Sequence, residues 1–275
     1  MIEPIQVEKL ENPSLILALA LVKFAPLPVQ AFEEIVTDLH NEIRSDYPGF
    51  DEVKSQSIEL AINNLGEVGS EEIKRKETEE SSFVFSSSDS SWVIVVSRVN
   101  LVVCTKSYVS FVDLSMRVRR ILEILGRDKK HGIKHTSNIG LRYINRIDLD
   151  ENTGFAETIN DGFLQPKIDG FKGMGGSDMA SVYQSENNWC LLRTSLKVQG
   201  FDVPDGLMFI AHRMKLGKEP VGNVFASVDI DTNTMSHDFQ DFSLENVSTC
   251  LSELHDSAKI AFGSVLTARE IKRRS

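Results

Sequence analysis

The sequence predicts an α+β protein made of two similar β-α-β-β-β-β-α halves, with antiparallel sheets covered by long helices. Three observations carry this. The order of element types repeats once along the 275 residues. Each half closes on a long stretch with apolar residues at helical spacing. Two aromatic-led strands, "SSWVIVVS" and "NNWCLLRTS", occupy matching places in the two halves. A chain of this length makes one large domain or two small ones. The expected division is 1–135 and 136–275, packed as one compact unit.

The elements follow in order. Leu15–Phe24, "LILALALVKF", is an apolar run of strand length, and "APLP" breaks it. Val29, Phe32, Val36, Leu39 and Ile43 recur at helical spacing, predicting a helix over 29–47 that Pro48 and Gly49 stop. Strand-like pieces follow at 54–63, 82–87, 92–97 and 101–105. The charged stretch "GEVGSEEIKRKETEESS" reads as a loose loop, and "SSSDSS" and "SRVN" read as turns. Val109–Gly126 is helical, with Phe111, Leu114, Val118, Ile121, Leu122 and Leu125 in one stripe. Arg117, Arg120 and Arg127 fall on the opposite side.

The second half begins with a strand over 138–149 and a short helix over 155–164. Strands are expected near 182–185, 189–199, 207–215 and 222–231. A final helix over 243–268 lines up Leu244, Val247, Leu251, Leu254, Ala258, Ala261, Phe262 and Val265.

Composition excludes several classes. An apolar content of 41% suffices for a core, yet no apolar run approaches the length of a membrane span. Leu15–Phe24 is too short, and acids rather than basic residues precede it, unlike a signal peptide. Cys104, Cys190 and Cys250 lie far apart in apolar contexts, which implies buried thiols and a reduced, cytoplasmic protein. A net charge of −10 argues against general nucleic-acid binding. The charge is unevenly spread: residues 29–80 hold 14 acids and 5 basic residues, and residues 115–146 hold 9 basic residues and 2 acids. A basic face could therefore meet an acidic partner, including an acidic region of another copy.

The stretch "SNIGLRYINRIDLD" carries the first candidate site. In a strand, Arg142, Arg146 and Asp148 share one face with Gly140 and Ile144, while Tyr143 and Asn145 join the apolar face. Arg142, Asn145 and Arg146 are the tentative binding residues of this strand, the two arginines as an anion or carboxylate clamp. The plainer account pairs them with acids of the sheet or helices and gives Asn145 a buried backbone group to satisfy. Taking Arg142 as exposed, Asn145→Leu is expected to cost more stability than Arg142→Ala. Arg117, Arg120 and Arg127 are the second tentative binding set, with Lys129 and Lys130 extending the charge.

Other motifs fail on spacing. "GFKGMGGSD" lacks the Lys-Ser/Thr pair of a phosphate loop and the strand of a dinucleotide fingerprint. His131 and His135 flank a glycine rather than sharing a helical turn, so no metal pair is expected. Asp229 and Asp231 share a strand face and fit a solvated strand end better than a cation site. No Gly-x-Ser-x-Gly elbow and no activated cysteine occurs, so no catalytic residue, metal or cofactor is expected. His255 reads as a helix-packing histidine.

The segments "NPSLILALALVKFAP", "SSWVIVVS" with "SY" after it, "IGLRYINRIDL" and "LHDSAKIAFGSVLT" occur in that order. Together they resemble a sporadically distributed family of uncharacterised bacterial and archaeal proteins of about this length. Arg142, Tyr143, Asn145, His255 and Phe262 match its pattern. The resemblance implies fold more than activity. Its patchy distribution implies accessory genes of the defence or toxin–antitoxin kind.

The expected function is a non-enzymatic interaction module, a regulator, inhibitor or adaptor for a neighbouring gene's product, with a homo-oligomer left open. The alternative is an enzyme or small-ligand-binding protein with a polar pocket between sheet and helices, using Arg142, Asn145, Arg146 and His255.

Overall fold

The computed structural model describes residues 14–63, 72–128, 130–148, 155–164, 168–171, 176–197, 203–216, 224–235 and 238–274. In chain order the elements are β1 (Leu15–Phe24), α1 (Val29–Ile43), β2 (Gly49–Asn63), β3 (Glu72–Ser86), β4 (Trp92–Ser97), β5 (Asn100–Thr105) and α2 (Phe111–Gly126). The second half continues with β6 (His135–Asp148), α3 (Phe155–Thr158), β7 (Ser177–Gln184), β8 (Asn188–Lys197), α4 (Met208–Arg213), β9 (Phe225–Thr234), β10 (Gln240–Asp241), α5 (Leu244–Val265) and α6 (Ala268–Arg274).

The strands form one continuous antiparallel sheet in the order β2-β3-β4-β5-β1-β6-β9-β8-β7, with β10 paired to β6. β1 and β6 meet at its centre, so the sheet runs unbroken across the 135/136 division. β1 is apolar at nearly every position because it is covered on both faces, whereas β6 alternates, its second face carrying Arg142 and Arg146 beside Ile144. Ala18, Ala20, Val22 and Phe24 of β1 join Ile139, Leu141, Tyr143 and Ile147 of β6 in the main core beneath α1, α2 and α5. Leu17, Leu19 and Ile144 face the other way, into a smaller core beneath Val203, Ile210, Ala211 and Met214. A bulge between Leu15 and Leu17 turns Leu15 to the main core and Ile16 and Leu17 to the smaller one.

The two long closing helices both start on serine. Ser110 Oγ accepts from the Asp113 amide at 3.2 Å, and Ser243 Oγ accepts from the Asn246 amide at 3.3 Å. After α2 the chain turns through Gly132 so closely that a Cβ there would lie 2.7 Å from the carbonyl oxygens of both Leu125 and Asp128. Only glycine clears that turn.

Two expected elements are corrected. Most of the loop expected over 66–82 is strand: β3 begins at Glu72 and pairs with β2 from Gly49↔Ser86 to Asn63↔Glu72. β4 pairs only with Ser82–Ser86 of β3, so the rest forms a two-stranded ribbon. A ribbon needs no apolar face, which is why charge patterning pointed to a loop. Residues 66–71 of the expected loop lie outside the described residues. The strand expected over 207–215 is a 3-10 turn (Asp205–Leu207) followed by α4. Leu207, Ile210, Ala211 and Met214 recur at helical spacing and pack on the second sheet face. Among the described residues the second half therefore has three long strands, β7, β8 and β9, and the two-residue β10 between α3 and α5, and all strands belong to one sheet rather than two.

Smaller shifts follow local geometry. The 29–47 helix ends at Ile43, where Tyr47 N–H turns back to the Ile43 carbonyl. The 155–164 helix splits into α3 and a 3-10 turn at Asp161–Phe163. Of the glycine-rich stretch 170–178, residues 172–175 lie outside the described residues. Gly170 and Gly176 have φ of 81° and 80°, the left-handed region that glycine enters without strain.

Candidate functional site

The polar side chains of β6 divide between its two faces. On the face turned from the long helices, Arg142 donates from Nε and Nη2 to Oδ1 and Oδ2 of Asp229 on β9, each at 2.7 Å. In register Arg142 lies opposite Asp231, so the grip is diagonal. Arg193 of β8 donates to the same Asp229 Oδ2 at 3.2 Å. Asp231 lies 3.9 Å from Arg142 and accepts from Asn233 Nδ2 at 2.8 Å. Burial lifts the Asp231 carboxyl above its ordinary value, and Arg142 holds it down. Arg146 donates to Asp148 at 2.7 Å and lies over the Phe225 ring at 4.5 Å. Both arginines expected to clamp an anion thus already grip carboxylates of their own chain. The Asp229 and Asp231 pair sits within this network, not at a solvated strand end.

On the helix face, Asn145 is 6% exposed. Its Oδ1 accepts from Ser14 Oγ at 3.2 Å, and its Nδ2 donates to the Val228 carbonyl at 3.4 Å. Tyr143 reaches α5, where its hydroxyl lies 2.9 Å from His255 Nδ1. The Tyr108 hydroxyl lies 3.5 Å from that of Tyr143. Phe111, in the first turn of α2, stacks on the His255 ring with centroids 4.4 Å apart. Burial pushes His255 below its ordinary value of 6.5, helped by the Lys259 charge and opposed by Asp256. Burial raises the Tyr143 and Tyr108 hydroxyls, so both stay protonated. These residues border a pocket of about 130 Å³, completed by Leu15, Asn145, Ile230, Ala258, Lys259 and Phe262.

The structure therefore brings Asn145 and His255 together, and it places Arg142 and Arg146 on the opposite face of the sheet. Tyr108 and Lys259 were not singled out from sequence. The signal for the cluster was present in Tyr143: a phenol on a buried strand face must find a hydrogen-bond partner. Its partner lies 112 positions away, which strand alternation cannot identify.

The basic side of α2 meets acids of the same chain. Arg120 Nη1 donates to Asp46 at 2.6 Å, and Arg127 pairs with both oxygens of Glu42. Arg117 donates to Asp113 at 3.1 Å and to the hydroxyl of buried Tyr47 at 2.8 Å, with its guanidinium 4.2 Å from the Trp92 ring. The acidic segment 29–80 thus answers the basic segment 115–146 at the α1–α2 contact.

A larger groove, of about 340 Å³, lies where α5 passes the β7 edge. Phe163, Tyr183, Trp189, Leu192, Ile260 and Ala261 give it an apolar lining. Tyr183 and Ile260 are largely exposed. Cys190 also borders it, and burial pushes this thiol up to about 11, which leaves it a poor nucleophile. Among the described residues no cluster of three or more His, Cys, Asp or Glu could hold a metal ion, and no helix is long and apolar enough to cross a membrane. No family model matches the chain, and no curated protein or solved structure matches it.

Proposed function

We propose that the chain is a non-enzymatic protein-interaction module, a regulator, inhibitor or adaptor for the product of a neighbouring gene, and that it docks an extended apolar segment along β7. The observation that carries this is the pairing of an open sheet edge with the apolar groove between β7 and α5. Among the described residues β7 pairs with β8 alone. It carries one charged residue, Asp178, and neither lysine nor proline, the usual guards of an edge. The opposite edge strand, β2, carries Asp51, Glu52, Lys54 and Glu59. An added strand would take the free backbone groups of β7 and place alternate side chains on Tyr183, Leu192 and Ile260. The α2 arginines support partner capture less well, because Asp113, Asp46 and Glu42 of the same chain already pair with them.

Two similar halves derived by duplication are part of the same reading. In each half the first strand pairs with the last long strand, β1 with β5 and β6 with β9, and the halves join along β1 and β6. Superposing 15–126 on 135–265 should align α2 with α5. Placement of these helices in unrelated positions would sink the duplication.

The docking surface is tested by co-expressing the tagged chain with the products of its flanking genes. The wild type should co-purify with one of them in fixed stoichiometry. A folded Tyr183→Asp/Ile260→Asp variant should lose it. Equal capture by the variant moves the interface off β7, and capture of none of these products by the wild type ends the neighbouring-partner reading.

A further inference from the structure

The pocket between β6 and α5 is separate from the β7 groove and carries its own chemistry. Its polar contributors are Tyr108, Tyr143, Asn145, His255 and Lys259, and among the described residues no carboxylate lines it. Asn145 is occupied by Ser14 and the Val228 carbonyl. Tyr143 stays protonated and lies 2.9 Å from His255 Nδ1, against 3.5 Å from Tyr108, so its proton goes to the imidazole. A neutral imidazole that accepts at Nδ1 carries its own proton on Nε2. That N–H has no hydrogen-bond partner among the described residues. Tyr108 keeps only the long contact to Tyr143. Lys259, exposed at the rim, forms no ion pair with any described residue. The available groups are two neutral donors and one ammonium. Asp256, which opposes the lowering of the His255 pKa, is exposed on α5 and outside the lining.

We propose that this pocket binds a small monocarboxylate with an apolar tail. The carboxylate takes the Lys259 ammonium together with His255 Nε2–H and the Tyr108 hydroxyl, a charge-assisted set. The tail packs on Leu15, Ile230, Ala258 and Phe262. Size limits the ligand: an apolar cavity of about 150 Å³ accepts one benzene ring, and this pocket is about 130 Å³. The class is therefore an aromatic acid of a single ring or a short-chain fatty acid. A nucleotide would exceed that volume, and a small polar phosphate would leave the apolar wall unused. Tyr143 is a positioning residue here, because it sets the tautomer of His255 rather than meeting the ligand.

Isothermal titration of the full chain with benzoate and butyrate, beside benzyl alcohol and butanol as uncharged counterparts, tests the site. The acids should bind saturably and the alcohols at least roughly tenfold more weakly, the effect of one charge-assisted hydrogen bond. Lys259→Met, at an exposed position that no fold contact needs, should weaken benzoate by a similar factor, and Tyr108→Phe by less. Amide shifts from nuclear magnetic resonance should cluster at Tyr108, Tyr143 and His255. No saturable binding of either acid at millimolar concentration overturns the proposal, as does equal affinity for acid and alcohol or an undiminished affinity in Lys259→Met. None of these outcomes bears on capture of a partner at β7.

Discussion

Arg142 and Asp229 lock β6 to β9 through two parallel hydrogen bonds of 2.7 Å, with only 14% and 5% of their side chains exposed. Such a pair is chiefly a constraint, because its attraction is spent largely on desolvation. Breaking it is another matter.

Arg142→Ala should cost about 3–5 kcal/mol, since it leaves a buried carboxylate with Arg193 as its remaining partner. Arg142→Lys should recover only part, because an ammonium cannot make the two-pronged contact. Asn145→Leu should cost less, about 1–3 kcal/mol, by leaving Ser14 unpaired. This reverses the order expected from sequence, where Arg142 was taken as exposed. Urea denaturation of the three variants checks the order. A loss under about 1 kcal/mol for Arg142→Ala would mean that Arg193 alone satisfies Asp229.

Arg117 and Arg120 sit one turn apart on α2 but should differ sharply. Arg120→Glu disturbs an exposed pair with Asp46 and should shift stability little, with the shift fading at high salt. Arg117→Glu removes the partner of the buried Tyr47 hydroxyl and the contact over Trp92, at about 1–3 kcal/mol. Thermal melts at low and high salt would separate them. Equal and salt-sensitive losses would show that only surface charge matters on this face. Reversing Arg117, Arg120 and Arg127 together should therefore destabilise the fold as well as the surface pairing.

The legible parts of the fold were those with a long apolar pattern. β1 shows a continuous apolar run and β6, α2 and α5 each a clean apolar stripe, and their positions came out within a few residues. β3 and α4 were not legible, for opposite reasons. β3 is held by ladder bonds to β2 and needs no apolar alternation, so charge was mistaken for a loop. α4 does have a helical stripe, but a short one, and few residues distinguish it from a strand. Of the candidate site, the face of each β6 residue followed from alternation alone. The identities of their partners did not, because Asp229, Val228 and His255 lie 83 to 112 positions away in the chain.

His255 links the helix-face pocket to pH. Burial holds its folded pKa below the ordinary 6.5. Below that value the unfolded chain binds a proton that the folded chain refuses, so the unfolded state gains. The contribution of His255 is therefore fully present above 6.5 and is lost as pH falls from there toward the folded value. Tyr143 reinforces this, because protonation at Nδ1 removes the acceptor for its hydroxyl. His255→Gln keeps an acceptor but cannot titrate. Between about pH 7.5 and pH 5.5 the wild type should lose more stability than this variant, since the two differ in this one proton. Tyr143→Phe should lower stability at neutral pH by about 1 kcal/mol, the worth of one hydrogen bond. It should also ease protonation of His255, visible as an upward shift in the titration of its ring protons. Identical pH profiles for the wild type and His255→Gln would show that the imidazole titrates freely in the folded chain, and that the contact with Tyr143 does not select its neutral form.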